Sequence, residues 1–228
     1  MILYALIFVL AFCSIVYELL LGQTLSAFFG NTVLRYSVTI GLYMASMGLG
    51  ALYLQWRRAR SSVLRLQVVE ILLTVCGGGS VVGIFLLDGA GLPTLPLSIW
   101  AHFLIIVIGV LTGMEIPLLI EIRNRDRRSS ETSVLGVDYI GAFAGTLVFA
   151  FYFYPTFGLV PSAFLVSLLN AVVGMLLLTQ RGKLGSGERG RFHTLLAGQA
   201  LLLAVLALLL WRADAISEMC LSLYLGSS

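Results

Sequence analysis

An all-α fold, a polytopic integral membrane helix bundle of about seven transmembrane helices, is predicted by three features of this sequence. Apolar residues make up 59% of the 228 residues and charged residues only 11%, whereas soluble domains carry about a quarter charged residues. Seven apolar stretches each approach the ~20 residues that a helix needs to cross a bilayer core. The basic residues, finally, fall in alternate loops between those stretches.

The stretches run over about 2–21, 36–55, 66–87, 96–120, 134–154, 160–179 and 193–211. Backbone polar groups cannot go unpaired in lipid, so each run is a helix or a strand of a closed barrel. The alternating pattern of barrel strands is missing, which leaves helices. The first run begins at Met1 with no basic segment before it, so it reads as an uncleaved span and not as a signal peptide. On it Ser14, Glu18 and Gly22 share one side. Glu70, Thr74 and Gly77 share a face of the third run, Asp138, Gly141 and Gly145 of the fifth, and Ala163, Ser167, Asn170 and Gly174 of the sixth. G-x-x-x-G pairs occur at Gly79 and Gly83, Gly109 and Gly113, and Gly141 and Gly145. Small residues let membrane helices approach closely, so packing is the expected role of these pairs. From Leu201 to Leu210 the seventh run is almost entirely leucine and alanine, which predicts a peripheral helix facing lipid.

Twelve of the fourteen basic residues lie in three alternate loops. Arg57, Arg58, Arg60 and Arg65 separate spans two and three; Arg123, Arg125, Arg127 and Arg128 separate four and five; Arg181, Lys183, Arg189 and Arg191 separate six and seven. Positive loops stay in the cytoplasm, which predicts a multi-pass protein of the cell membrane with a cytoplasmic N-terminus. An odd number of spans then puts the segment after Trp211 outside, where 215–225 is weakly amphipathic and suited to the membrane surface. The organisation expected is a transmembrane helical domain over 1–213 and a short tail over 214–228, with no soluble catalytic domain and no sequence repeat.

The arginine clusters are not interleaved with aromatics as in a nucleic-acid groove, so nucleic acid is excluded as a partner. Cys13, Cys76 and Cys220 lack metal-ligand spacing and read as free thiols. Gly77-Gly78-Gly79 has neither the preceding strand nor the following Lys-Ser/Thr of a phosphate loop. No catalytic residue, metal site or cofactor is assigned.

Ionisable residues at membrane depth cost about 2.5–3.5 kcal/mol on insertion scales and are functional candidates by default. Glu18 is placed near the outer end of span one, with pairing to Arg35 on span two as the plain alternative. Glu70, Glu115 and Asp138 are placed in the inner half, where Glu70 and Asp138 also suit interfacial carboxylates beside the loop arginines. Pro117 lacks an N–H, so the Gly113 carbonyl loses its helical donor next to Glu115; a structural kink is the alternative. Span four is joined to span five by a short loop, which makes the two neighbours and lets Gly141 and Gly145 bring Asp138 close. The candidate substrate-binding set is therefore Glu115, Gly113, Asp138 and Glu18, forming a cation or amine site.

Several stretches carry a family resemblance: Tyr17-Glu18-Leu19-Leu20-Leu21-Gly22, Ile40-Gly41-Leu42 with Met47-Gly48-Leu49-Gly50, Gly113-Met114-Glu115-Ile116-Pro117-Leu118, and Asp138-Tyr139-Ile140-Gly141-Ala142. Pro155, Gly158-Leu159 and Leu169-Asn170 complete the series. In this order, over about residues 14 to 180, the chain resembles the transmembrane region of membrane-integral, fused spermidine synthase-like proteins, the polyamine aminopropyltransferases. The resemblance implies a catalytic half with a glycine-rich donor loop and amine-holding acids, and neither has a counterpart within these 228 residues. It implies the membrane domain of such a protein, anchoring it or handling substrate in polyamine metabolism, with lipid and a polyamine ligand as partners. The rival readings are a small transporter or channel for a cationic amine, and a structural subunit that docks a second copy or another membrane protein through its glycine faces.

Overall fold

The computed structural model describes residues 2–56, 61–124, 131–185 and 187–227. Arg57, Arg58, Arg60, Arg125, Arg127 and Arg128 lie outside the described residues. Every described element is helical: α1 Ile2–Phe29, α2 Thr32–Trp56, α3 Ser62–Gly89, α4 Thr94–Asn124, α5 Glu131–Val148, α6 Tyr154–Phe157, α7 Leu159–Leu176, α8 Arg189–Trp211 and α9 Ala213–Ser227. A π-turn, Phe149–Phe153, joins α5 to α6, and a 3-10 segment, Leu177–Lys183, extends α7. Seven helical stretches are long and apolar enough to cross a membrane, by length and composition. Each of the seven expected runs falls inside one of them.

Breaks fall where the residues dictate. Gly30 and Asn31 both adopt positive φ, 63° and 48°, a conformation open to Gly and tolerated by Asn, and this reverses α1 into α2. Pro155 lacks the N–H of a regular helical ladder, and the wider π-turn precedes it. Gly158, at φ 75°, then redirects the chain into α7. Pro117, by contrast, is carried inside α4.

Helix α1 is the centre. Buried residues make up 67% of its apolar window, against 22% for α2 and 17% for α8. It packs on α5, α2, α7 and α4, while α3 packs on α4, α7, α8 and α9, and α2 leans chiefly on α4. Here one sequence expectation is corrected: α5 meets α4 only marginally and packs against α1. A short connection limits how far apart two helix ends lie, but not which faces are free. The faces of α4 are taken by α2, α3 and α1.

Two of the three G-x-x-x-G pairs are packing surfaces. A Cβ on Gly113 would lie 2.0 Å from the Met47 carbonyl oxygen, and one on Gly109 2.8 Å from Ser46 Cβ, so α4 rests backbone-on-backbone against α2. On α5, Gly141 and Gly145 do the same against Phe8 and Phe12 of α1. Gly79 and Gly83 face open space, with nothing within 4 Å. Helix α8 is mainly exposed, as its leucines imply, but it buries Phe192, Leu196, Gln199 and Leu206. Helix α9 lies at the far end from the 3-10 segment, where Tyr224 donates to the Ala27 carbonyl (3.1 Å) and meets Phe28 edge-on at 5.1 Å.

Candidate functional site

Antiparallel helices bring three acids to one level. Glu70 is eight residues into α3 counted from Ser62, Glu115 nine before Asn124 at the end of α4, and Asp138 seven into α5 from Glu131. Glu70 is 0% exposed and Glu115 4%; Asp138 is half-buried. Glu115 lies within electrostatic range of both Glu70 and Asp138. Cys13 and Tyr17 of α1 are in range of Glu70 and Glu115 as well, so the central helix fills the space between the acids. Glu18 does not belong to this level. It is sixteen residues into α1 from Ile2, some eight residues, or about 12 Å, further along the helix than the others.

A polar shell surrounds Glu70. Asn170 of α7 donates to the Glu70 backbone carbonyl (3.2 Å) and to Thr74 Oγ1 (3.4 Å). Gln199 of α8 donates to Thr74 Oγ1 (3.3 Å) and to the Ala171 carbonyl (3.2 Å). Tyr17 and Ser167 share a hydroxyl–hydroxyl bond of 3.1 Å. Gly77 makes room for the Tyr17 ring, since a Cβ there would lie 2.2 Å from it. These bonds use the donors and leave acceptors over. Both Glu70 carboxylate oxygens, the Gln67 and Gln199 amide oxygens and Asn170 Oδ1 are buried with no hydrogen-bond partner among the described residues. Gln67 Nε2 is the donor left over beside these five acceptors. Buried polar groups in native proteins are nearly always paired, and each exception needs a reason such as a bound ion or water.

The sequence-predicted residues thus part company. Glu115 and Asp138 are brought together. Gly113 sits two residues from Glu115, about 200° round the helix, and its open face is filled by α2. Glu18 is buried at 8% exposure and lies in electrostatic range of Tyr43. The expected pair of Glu18 with Arg35 is not formed; the Arg35 guanidinium lies over the Phe29 ring, 5.1 Å from its centroid. Register explains this. Ser26 bonds Thr32 and Tyr36 bonds Gln23, so Arg35 stands level with about Gln23, roughly 7–8 Å along the helix from Glu18. Single effects of Glu18→Gln and Arg35→Ala on thermal stability are therefore expected to add in the double mutant; a coupling near 1 kcal/mol would contradict this geometry.

Sequence reading undervalued Glu70 and passed over Gln67 and Gln199. One signal for Gln67 was available, because it lies three residues before Glu70, on the same helix face. Nothing local marked Gln199, which precedes the leucine run of α8.

At the basic end of the molecule Arg123 donates to the Tyr4 hydroxyl and lies over its ring at 4.1 Å, while Tyr4 donates to Ser133 (3.3 Å). These contacts tie α4, α1 and α5 together below the acids. No group of three or more His, Cys, Asp or Glu side chains able to hold a metal occurs among the described residues.

Known proteins resemble this chain over most of its length. Polyamine aminopropyltransferase 1 of Streptomyces coelicolor is 37% identical over 213 residues, 91% of this chain. Polyamine aminopropyltransferase 2 of Ralstonia nicotianae is 35% identical over 81% of it, and the polyamine aminopropyltransferase of Leptospira interrogans 32% over 76%. The chain is homologous to polyamine aminopropyltransferases. It covers 39%, 37% and 34% of those three relatives' lengths, so it corresponds to well under half of each aminopropyltransferase. No family model matches the chain, and no solved structure does.

Proposed function

We propose that this chain is the membrane domain of a polyamine aminopropyltransferase-like protein and that its buried acids handle a cationic amine. The observation that carries the reading is the surplus of orphaned acceptors around Glu70. An ammonium group offers three donors and no acceptor, which is the complement of that surplus. The methylenes between the charges of a polyamine suit the apolar helices around the acids. Glu115 and Asp138 extend the acidic level toward α5. Homology to aminopropyltransferases supports an amine over other cations.

The relevant measurement is spermidine binding to the purified full chain by calorimetry. Glu70→Gln and Glu115→Gln are each expected to weaken it by a factor of ten or more, since a lost charge-assisted hydrogen bond costs about 1.5–3 kcal/mol. Asp138→Asn, half-exposed, has the smaller effect. Binding that survives both buried substitutions removes this site, and no binding by the wild type leaves the anchoring role alone.

The membrane part of the proposal places the seven apolar helices across the cell membrane with the basic loops in the cytoplasm. Hydropathy and the distribution of arginines support it. A cysteine introduced at Gly91 is expected to react with an impermeant thiol reagent in intact cells, and one at Lys183 to be shielded. Labelling in the opposite pattern reverses the orientation.

A further inference from the structure

At the basic end of the molecule the 3-10 segment and the start of α8 enclose a pocket of about 350 Å³, within the ~300–1,000 Å³ of small-molecule sites. Arg181 and Gly182 of the 3-10 segment line it, with Leu184 just after them and Arg189, Phe192 and His193 of α8. Leu184 and Phe192 are buried and supply its apolar lining. The pocket is separate from the acids and their polar shell. Gln199, the part of that shell carried by α8, lies ten residues beyond Arg189, or about 15 Å along the helix.

The polar side chains that line the pocket are all basic. Arg189 and His193 are four residues apart, on one face of α8, and Arg181 joins them from the 3-10 segment. Among the described residues no acid lines the pocket, and neither guanidinium has a carboxylate partner. The adjoining acid, Glu188, accepts the Gly185 N–H at 3.1 Å. Helix α8 has no side-chain cap at its N-terminus, so the partial positive charge of its first turn adds to that of the arginines. Each guanidinium is a rigid fork of N–H donors that matches two oxygens of one anion. A carboxylate has two oxygens and occupies one fork. A phosphate monoester carries three strong acceptor oxygens and can serve both arginines and the imidazole.

We propose that this pocket binds a phosphate monoester, its oxygens held by Arg181, Arg189 and His193 and its carbon skeleton set against Leu184 and Phe192. The site rests neither on the amine site nor on the membrane reading. Two sources carry this chemistry, a soluble organophosphate and the headgroup of an anionic lipid such as phosphatidic acid, and the test separates them.

The test follows thermal stabilisation of the purified full chain, in a neutral detergent, against the concentration of glycerol 3-phosphate and, separately, of dihexanoyl phosphatidic acid. Wild type should be stabilised in a saturable way. The tighter probe names the source of the phosphate, and equal affinity names the soluble one. R181Q/R189Q should weaken binding by about tenfold or more, because charge-assisted hydrogen bonds are lost. R212Q, at the opposite end of α8, should behave as wild type. Gly182→Leu is an independent test, since a Cβ there meets nothing within 4 Å. Its side chain should enter the pocket without displacing the backbone and weaken binding as strongly; if R181Q/R189Q does not fold, this variant decides. No stabilisation of the wild type by either probe overturns the site. Binding that survives R181Q/R189Q or Gly182→Leu overturns it too. So does an equal loss in R212Q, which would mean attraction to net charge and not to this pocket.

Discussion

Gly113→Ala is expected to destabilise the bundle by about 3 kcal/mol, at the upper end of what overpacking costs, while Gly79→Ala is neutral or slightly stabilising. Gly79 opens one G-x-x-x-G pair and Gly113 closes another, and the two meet opposite surroundings. A Cβ on Gly113 falls 2.0 Å from the Met47 carbonyl oxygen, and a Cβ on Gly50, across the same contact, 2.1 Å from the Val110 carbonyl oxygen. Both obstacles are backbone, so no rotamer change relieves them, and α2 must move off α4. Helix association in lipid depends on close packing, without a hydrophobic force to restore it. At Gly79 the added methyl meets nothing within 4 Å, and alanine improves helix propensity by up to ~1 kcal/mol. Thermal unfolding of both variants in one detergent decides the matter. Equal losses at the two positions would mean that α2 and α4 do not cross where the glycines place them.

The second large effect is expected at Glu70. Replacing it by methionine keeps the volume and removes two buried acceptors that have no partner among the described residues. An unsatisfied buried group costs about 1–3 kcal/mol, so Glu70→Met should raise the stability of the ligand-free chain by that amount. The same substitution should abolish the stabilisation that spermidine confers on the wild type, which follows mass action with ligand concentration. A gain in stability together with a loss of response is the signature of a residue kept for binding. If Glu70 were a structural strut, Glu70→Met would destabilise the chain and leave the ligand response unchanged. Asn170 donates to the Glu70 backbone carbonyl, and this link between α7 and α3 survives the substitution.

Helix positions were legible from residues 2 to 211 because hydropathy is summed along the chain and needs no knowledge of neighbours. The gap left between the runs ending at 154 and beginning at 160 is where Pro155 and Gly158 break the helix. Glu115 and Asp138 were recognised as candidates because an acid in an apolar run is costly wherever its helix packs. The Glu18–Arg35 pair failed because it rested on proximity to a shared turn, whereas depth along the hairpin is set by register.

What the sequence by itself determined is the class of molecule: an all-helical chain with seven apolar helices, buried acids and basic loops in alternation. Only the tertiary structure decided that α1 is the central helix, that α5 rests on α1 and not on α4, and that Glu70, Gln67, Asn170 and Gln199 form one polar shell. The reason is physical. Apolarity and helix-breaking chemistry are properties of a segment, but burial, glycine contact and hydrogen-bond satisfaction are properties of two facing surfaces. Gly79 and Gly113 carry the same side chain, a single hydrogen, and differ only in what another helix places opposite them.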